Sequence, residues 1–299
     1  MKRNKNLLLS LWSAAIVLCV IVSIFALFFA ACSKTGDPPK SEFTIETDSP
    51  IHDPVPEGDP TAPGASEPAA SEAPAEPTEP PITPPPVVDT PIRLAETPDA
   101  GREYLDKFVF LGDSTTYGIG VYYNYGYTEL CPPTQVWTPA SGTLTLSYYN
   151  VATVVYPETG EELSITDAVS RAKPEILMIT LGVNGISFMD EEWFIRDYSA
   201  LVESIRAASP ETKIILNSIY PVAASYKYQK DINNEKIRAA NGWVERIAEN
   251  TGCHFLNSFE CLVGPDGYLP ESCQNGDGLH LTGEAFTTVM SYIRTHAYQ

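Results

Sequence analysis

The sequence predicts an α/β domain built on a mostly parallel sheet with helices on both faces. Three short runs that are apolar at nearly every position point to it: residues 107–111 (KFVFL), 175–181 (EILMITL) and 213–220 (KIILNSIY). A strand apolar at every residue, not every second one, is buried on both faces. Stretches with helical spacing of apolar residues separate these runs, and strands alternating with helices give a parallel sheet, not a meander.

The chain begins well before that body. Met1-Lys2-Arg3-Asn4-Lys5 is basic, and residues 7–32 carry no charge. About 20 apolar residues suffice to span a bilayer, and a basic flank on the N-terminal side stays cytoplasmic, which sends the rest of the chain across. A core helix would show a polar face, and this run has none. Two forms of the segment remain open. It is an uncleaved signal anchor, or it is a lipoprotein signal in which Phe29-Ala30-Ala31-Cys32 resembles a bacterial lipobox and Cys32 takes the lipid. Either form tethers residues 33–299 to the outer face of the cytoplasmic membrane, with the membrane a partner through the N-terminus.

Residues 33–96 read as a disordered spacer. Of the chain's 26 prolines, 16 fall between Gly36 and Glu96, and runs such as Pro84-Pro85-Pro86 cannot form helix or sheet interiors. With Ala, Glu, Thr and Ser making up most of the remainder, the segment buries too little apolar surface to offset its ordering entropy and extends as a stalk. Residues 97–299 then form the folded domain, long enough for a full core without metals or disulfides.

Charge narrows the partners. The formal net charge is −19, with +3 on residues 1–32, −10 on 33–96 and −12 on 97–299. No basic tract lies beyond the extreme N-terminus, so nucleic acid is not an expected partner. Four of the six cysteines, Cys131, Cys253, Cys261 and Cys273, fall in the domain. They permit two disulfides in an exported protein, with buried free thiols the alternative, above all for Cys253. No CxxC or Cys/His cluster suggests zinc, and no cofactor is expected.

Within the domain the elements follow in order. Residues 107–111 form the first strand and 121–160, aromatic and broken by Pro and Gly, form loops and short strands. A short helix is expected over 165–172 and the second strand over 175–181. Trp193, Tyr198, Leu201, Val202 and Ile205 share one face of a helix over 190–208. The third strand covers 213–220 and ends at Pro221. Ile237, Ala240, Val244, Ile247 and Ala248 line a helix over 233–250. Residues 254–256 give a fourth strand, and 281–296 a closing helix. Ligands of such sheets bind at the carboxyl ends of the strands.

Three polar motifs fall at those ends. Gly112-Asp113-Ser114 follows the first strand, where a serine on a strand-to-helix turn can present its hydroxyl and its own N–H to a ligand; a simple helix cap is the alternative. Gly182-Val183-Asn184-Gly185 follows the second strand, and Asn184 could aim its amide at a developing oxyanion. Asp277-Gly278-Leu279-His280 precedes the last helix, where the carboxylate can reach Nδ1 of the imidazole. Of the four histidines, His52 lies in the spacer, His254 starts a strand and His296 lies at the chain end. That leaves His280 as the general base.

Taken together, the three motifs resemble the SGNH/GDSL hydrolase family over residues 107–296. Thr115 stands where the family name expects Leu, and Gly185 where the asparagine block expects Asp. The resemblance implies a three-layer α/β/α, flavodoxin-like fold. It implies Ser114 as nucleophile, with Asp277 and His280 completing the triad. The implied oxyanion donors are Ser114 N–H, the Asn184 amide and, from Ser141-Gly142-Thr143, the Gly142 N–H, for which a turn glycine is the alternative. The implied activity is a serine esterase acting on a small ester or, given the tether, on an acetylated cell-surface glycan. Tyr117, Tyr122, Tyr123, Tyr125, Tyr127 and Trp137 could stack on its sugars or pack the loops. An O-acyltransferase and an inactive glycan-binding module are the competing readings.

Overall fold

The computed structural model describes residues 92–298. The expected membrane segment with Cys32, and the expected spacer up to residue 91, lie outside them. Residues 92–94, expected at the end of the spacer, run beside the last strand: Phe255 N–H donates to the Ile92 carbonyl at 2.8 Å and Leu94 N–H to the Phe255 carbonyl at 2.9 Å. The folded body therefore starts no later than Ile92.

In chain order the strands are β1 (Phe108–Gly112), β2 (Val136–Trp137), β3 (Thr153–Val155), β4 (Glu162–Ser164), β5 (Ile176–Thr180), β6 (Lys213–Asn217) and β7 (His254–Leu256). The helices are α1 (Arg102–Leu105), α2 (Ser114–Asn124), α3 (Ile165–Ala172), α4 (Glu191–Ala208), α5 (Asn234–Thr251), α6 (Phe259–Leu262) and α7 (Gly283–Arg294). Five strands make one sheet in the order β2-β1-β5-β6-β7, parallel throughout. β3 and β4 form a separate antiparallel hairpin. Counted by the sheet's own strands, the order is the doubly wound 2-1-3-4-5, whose switch point lies between β1 and β5.

The layers follow from the two-residue period of a strand. Leu111, Leu177, Ile179 and Leu216 face one way and share a buried cluster with Val169 of α3, Tyr198 and Leu201 of α4, and Ile237 and Val244 of α5. Phe108, Phe110, Ile176, Met178 and Ile215 face the other way, among Leu105 of α1, Ile119 of α2, Leu262 of α6 and Phe286 and Met290 of α7. Every residue of β5 is buried, as its unbroken apolar run requires. Side-chain caps start the five longer helices: Asp113 on α2, Ser164 on α3, Asp190 on α4, Asn233 on α5 and Thr282 on α7. Each cap is worth about 1 kcal/mol.

Two expectations need correction, and one left open is answered. The third strand stops at Asn217, not Tyr220, because the Asn241 side chain takes over the backbone of Ile219: its Oδ1 accepts from Ile219 N–H at 2.7 Å and its Nδ2 donates to the Ile219 carbonyl at 3.0 Å. Residues 121–124, expected in loops, complete α2. The domain cysteines are four free thiols; burial pushes the Cys131 and Cys261 thiols up to about 12.

Candidate active site

The sharp end of β1 sets the position of Ser114. A Cβ on Gly112 would lie 2.0 Å from Thr116 Oγ1 and 2.7 Å from the Thr180 carbonyl oxygen, so only glycine lets α2 start this close to β5. Asp113, buried to 1% exposure, caps α2. Its Oδ1 accepts from Thr115 N–H at 2.9 Å and from the Thr115 hydroxyl at 2.7 Å. Burial pushes the Asp113 carboxyl above the ordinary carboxylate range, against the pull of the two Thr115 bonds and of His280. Ser114 is then the first residue of α2, where a backbone N–H has no acceptor within the helix.

The turn before α7 brings the other groups. Asp277 Oδ1 accepts from the N–H groups of Leu279 at 2.8 Å and His280 at 2.9 Å. Its Oδ2 lies 2.5 Å from His280 Nδ1, and His280 Nε2 lies 2.8 Å from Ser114 Oγ. A carboxylate beside Nδ1 assigns the proton there and leaves Nε2 as acceptor for the serine hydroxyl. Partial burial pushes the Asp277 carboxyl up, but the bonds from the His280 ring and from the two N–H groups outweigh it and hold the group below its ordinary range.

Aromatic packing fixes α2 against α7. The ring of Phe286 fills the space a Cβ on Gly118 would need, and the ring of Tyr127 does the same at Gly283. Tyr122 contacts both rings, with centroids 6.0 Å from Phe286 and 5.6 Å from Tyr127, and Tyr127 Oη donates to Glu284 Oε1 at 2.6 Å. Burying a side chain such as Phe286 contributes about 1.5–3 kcal/mol. Thus Tyr122 and Tyr127 pack the helices that hold Ser114 and follow His280, and Trp137 is buried. Among these aromatic residues, Tyr117 at 39% and Tyr125 at 59% exposure remain at the surface.

Asn184 reaches the same end of the sheet. Its Nδ2 donates to the Leu144 carbonyl at 3.1 Å and faces Asp113 Oδ2 at 3.5 Å. The second contact is at the limit of a hydrogen bond, so one amide proton is only weakly engaged. For Gly142 two roles are open, a backbone donor or a turn glycine. It sits in a turn at φ +73°, and its N–H donates to the Pro139 carbonyl at 2.8 Å. That donor is already committed, which favours the turn role.

Two contributors were not legible in the sequence. The Leu144 carbonyl orients Asn184, and the Gln274 side chain accepts from the N–H groups of Gly276 at 2.5 Å and Gly278 at 2.9 Å. No motif marks either one, since each acts through the local course of a loop. Among the described residues, no group of His, Cys, Asp and Glu could hold a metal ion.

Comparison with known proteins bears on the family of the chain. A family model described as the GDSL-like Lipase/Acylhydrolase family matches residues 110–286. No curated protein matches the chain. Among solved structures, the chain is similar to one provisionally assigned as a platelet activating factor from Streptococcus pneumonia, with 20% identity over 64% of this chain and 84% of that one and a TM-score of 0.47. It is also similar to a GDSL-like lipase from Bacteroides thetaiotaomicron, at 20% identity, 64% and 87% coverage and a TM-score of 0.44. A third is the periplasmic domain of a lipopolysaccharide acetyltransferase from Salmonella ser. Paratyphi A, at 16% identity, 62% and 82% coverage and a TM-score of 0.44.

Proposed function

The chain belongs to the GDSL-like lipase/acylhydrolase family and is an ester-hydrolysing serine hydrolase; from that premise we propose that it removes an O-acetyl group from a cell-surface carbohydrate, using Ser114, His280 and Asp277. The observation that carries the reading is the unbroken hydrogen-bonded path from Ser114 Oγ through the His280 ring to Asp277, at the switch point of the sheet.

In this mechanism His280 Nε2 takes the hydroxyl proton as Ser114 Oγ attacks the ester carbonyl carbon. Asp277 stabilises the imidazolium that forms. The oxyanion sits between the Ser114 N–H and the less engaged proton of Asn184 Nδ2. The tetrahedral species collapses, the C–O bond to the alcohol breaks, and the alcohol leaves with the proton from Nε2. A water then gives its proton to Nε2 and attacks the acyl-enzyme carbonyl. Collapse releases the carboxylic acid and returns the proton to Ser114 Oγ.

The substrate class rests on two supports. Tyr117 lies one helical turn beyond Ser114 and is partly exposed, a position from which a ring can stack on a sugar. The charge-free run at residues 7–32 would tether the domain outside the cytoplasm, where cell-wall and capsular glycans lie. Whether Cys32 carries a lipid can be read from membrane fractionation: a Cys32→Ser chain that loses its lipid label fits the lipoprotein form, and one that behaves as wild type fits the signal anchor.

The deciding experiment measures acetate release from acetylated glycans and small esters, with Ser114→Ala as control. Release from a glycan by wild type and not by the variant is expected. Equal behaviour of the two proteins on every substrate would defeat the esterase reading, and turnover of small esters alone would defeat the glycan.

A further inference from the structure

We propose that Gln274 is a positioning residue that holds the Asp277 carboxylate against His280; this rests on the reading that Ser114, His280 and Asp277 carry the reaction. The Asp277 side chain is 45% exposed. An ion pair that open to solvent gains little by itself, so its geometry has to come from the loop around it. That loop is intrinsically loose. Asp277 lies between Gly276 at φ +124° and Gly278 at φ +83°, and glycines lose more conformational freedom on ordering than any other residue.

Gln274 supplies the missing constraint. Its Oε1 gathers the N–H groups of Gly276 at 2.5 Å and Gly278 at 2.9 Å, one on each side of Asp277. Its Nε2 donates to Glu271 Oε2 at 2.8 Å. Glu271 is held in turn by Ser225, whose hydroxyl donates to Oε2 at 2.8 Å and whose N–H donates to Oε1 at 3.3 Å. The loop is pinned at two further points, where Ala223 N–H donates to the Gly278 carbonyl at 2.8 Å and Asn275 N–H to the His280 carbonyl at 2.9 Å. The segment after β6 therefore braces the turn that carries Asp277, and the Gln274 amide links them on both sides of Asp277, beside the direct Ala223–Gly278 bond. A misplacement of about 1 Å at a catalytic group can cost roughly 100-fold in rate.

The test compares Gln274→Leu, which removes both functions of the amide, with the exchange Gln274→Glu/Glu271→Gln. The exchange keeps an acceptor for the two glycine N–H groups and restores a donor–acceptor pair between positions 271 and 274. For Gln274→Leu we expect kcat on a small ester to fall by about 10- to 100-fold with KM within about threefold, and the exchange to recover most of the loss. A second readout needs no turnover: a downfield proton resonance of His280 Nδ1, identified by its loss in Asp277→Ala, should vanish in Gln274→Leu and return in the exchange variant. A Gln274→Leu protein with wild-type kcat, or with the resonance intact, overturns the proposal. If wild type hydrolyses no ester, the functional reading fails, and the resonance alone decides the role of Gln274.

Discussion

Ser114 Oγ and His280 Nε2 stand 2.8 Å apart across 166 residues of chain. Nothing local produces that distance. One group opens α2 just after the first strand, the other precedes α7, and the Tyr122–Tyr127–Phe286 packing draws the two helices together. The geometry therefore depends on the completed sheet and on α2 and α7 packed side by side on one of its faces.

Ser114→Ala should lower ester hydrolysis by about 1000-fold or more and abolish labelling by a fluorophosphonate. Stability should barely change, because Asp113, not Ser114, caps α2. Thermal unfolding and labelling together check this; a variant that still labels would place the nucleophile elsewhere.

The two remaining oxyanion candidates should separate by mutation. Asn184→Ala removes the amide proposed as an oxyanion donor and should lower kcat by about 100-fold. Gly142→Ala would place a Cβ in ordinary contact with the Tyr117 ring, 3.8 Å away, but in a left-handed backbone at φ +73°. It should cost about 1 kcal/mol of stability while kcat stays within about threefold. Steady-state kinetics of both variants decide, and the reverse ranking would restore the Gly142 N–H as a donor.

The parts of the fold visible in the sequence are those whose residues face a single kind of environment. β1, β5 and β6 showed as apolar runs because helices cover both faces of the sheet. α4 and α5 showed through residues such as Tyr198, Leu201, Ile237 and Val244, which meet one buried cluster. β2 did not show, since two residues at a sheet edge carry no period. The end of α2 was hidden by Gly118 and Gly120, poor helix formers kept because Phe286 and Pro133 pack against them. At the site, Ser114 and Asn184 could be singled out by their place just after strands, and Asp277 and His280 by their spacing just before the last helix. Gln274 and the Leu144 carbonyl could not, because their roles depend on where a loop turns.

Gly278→Ala should be more damaging than Gly276→Ala. A Cβ at position 278 would meet the Tyr226 backbone at 2.7–2.8 Å, in a residue already at φ +83°, whereas position 276 opens on free space. The first change must displace the loop that carries Asp277; the second strains its own backbone only. We expect a loss of about 2–3 kcal/mol and a large drop in kcat for Gly278→Ala, against about 1–2 kcal/mol for Gly276→Ala. Urea unfolding with parallel kinetics compares them, and equal effects would mean that the Tyr226 contact does not set the loop.

Asp113 and Asp277 should give stability opposite dependences on pH. Asp113 is raised by burial, so between the ordinary carboxylate value of about 3.9 and its own folded value the native state binds more protons than the unfolded chain. Stability from this group is full below that window and is lost as pH rises through it. Asp277 is lowered, because its hydrogen bonds outweigh burial, so its contribution is present above the ordinary value and is lost as pH falls through its folded value. Asp113→Asn removes the first dependence and leaves the second. The unfolding free energy of Asp113→Asn minus that of wild type should therefore climb with pH above about 4 and level off once the wild-type group is ionised. Urea unfolding of both proteins across that range measures the difference directly. A difference that stays flat would show that Asp113 carries the same charge in the folded and unfolded chain, and its burial would then have to be offset by contacts beyond Thr115 and Asn184.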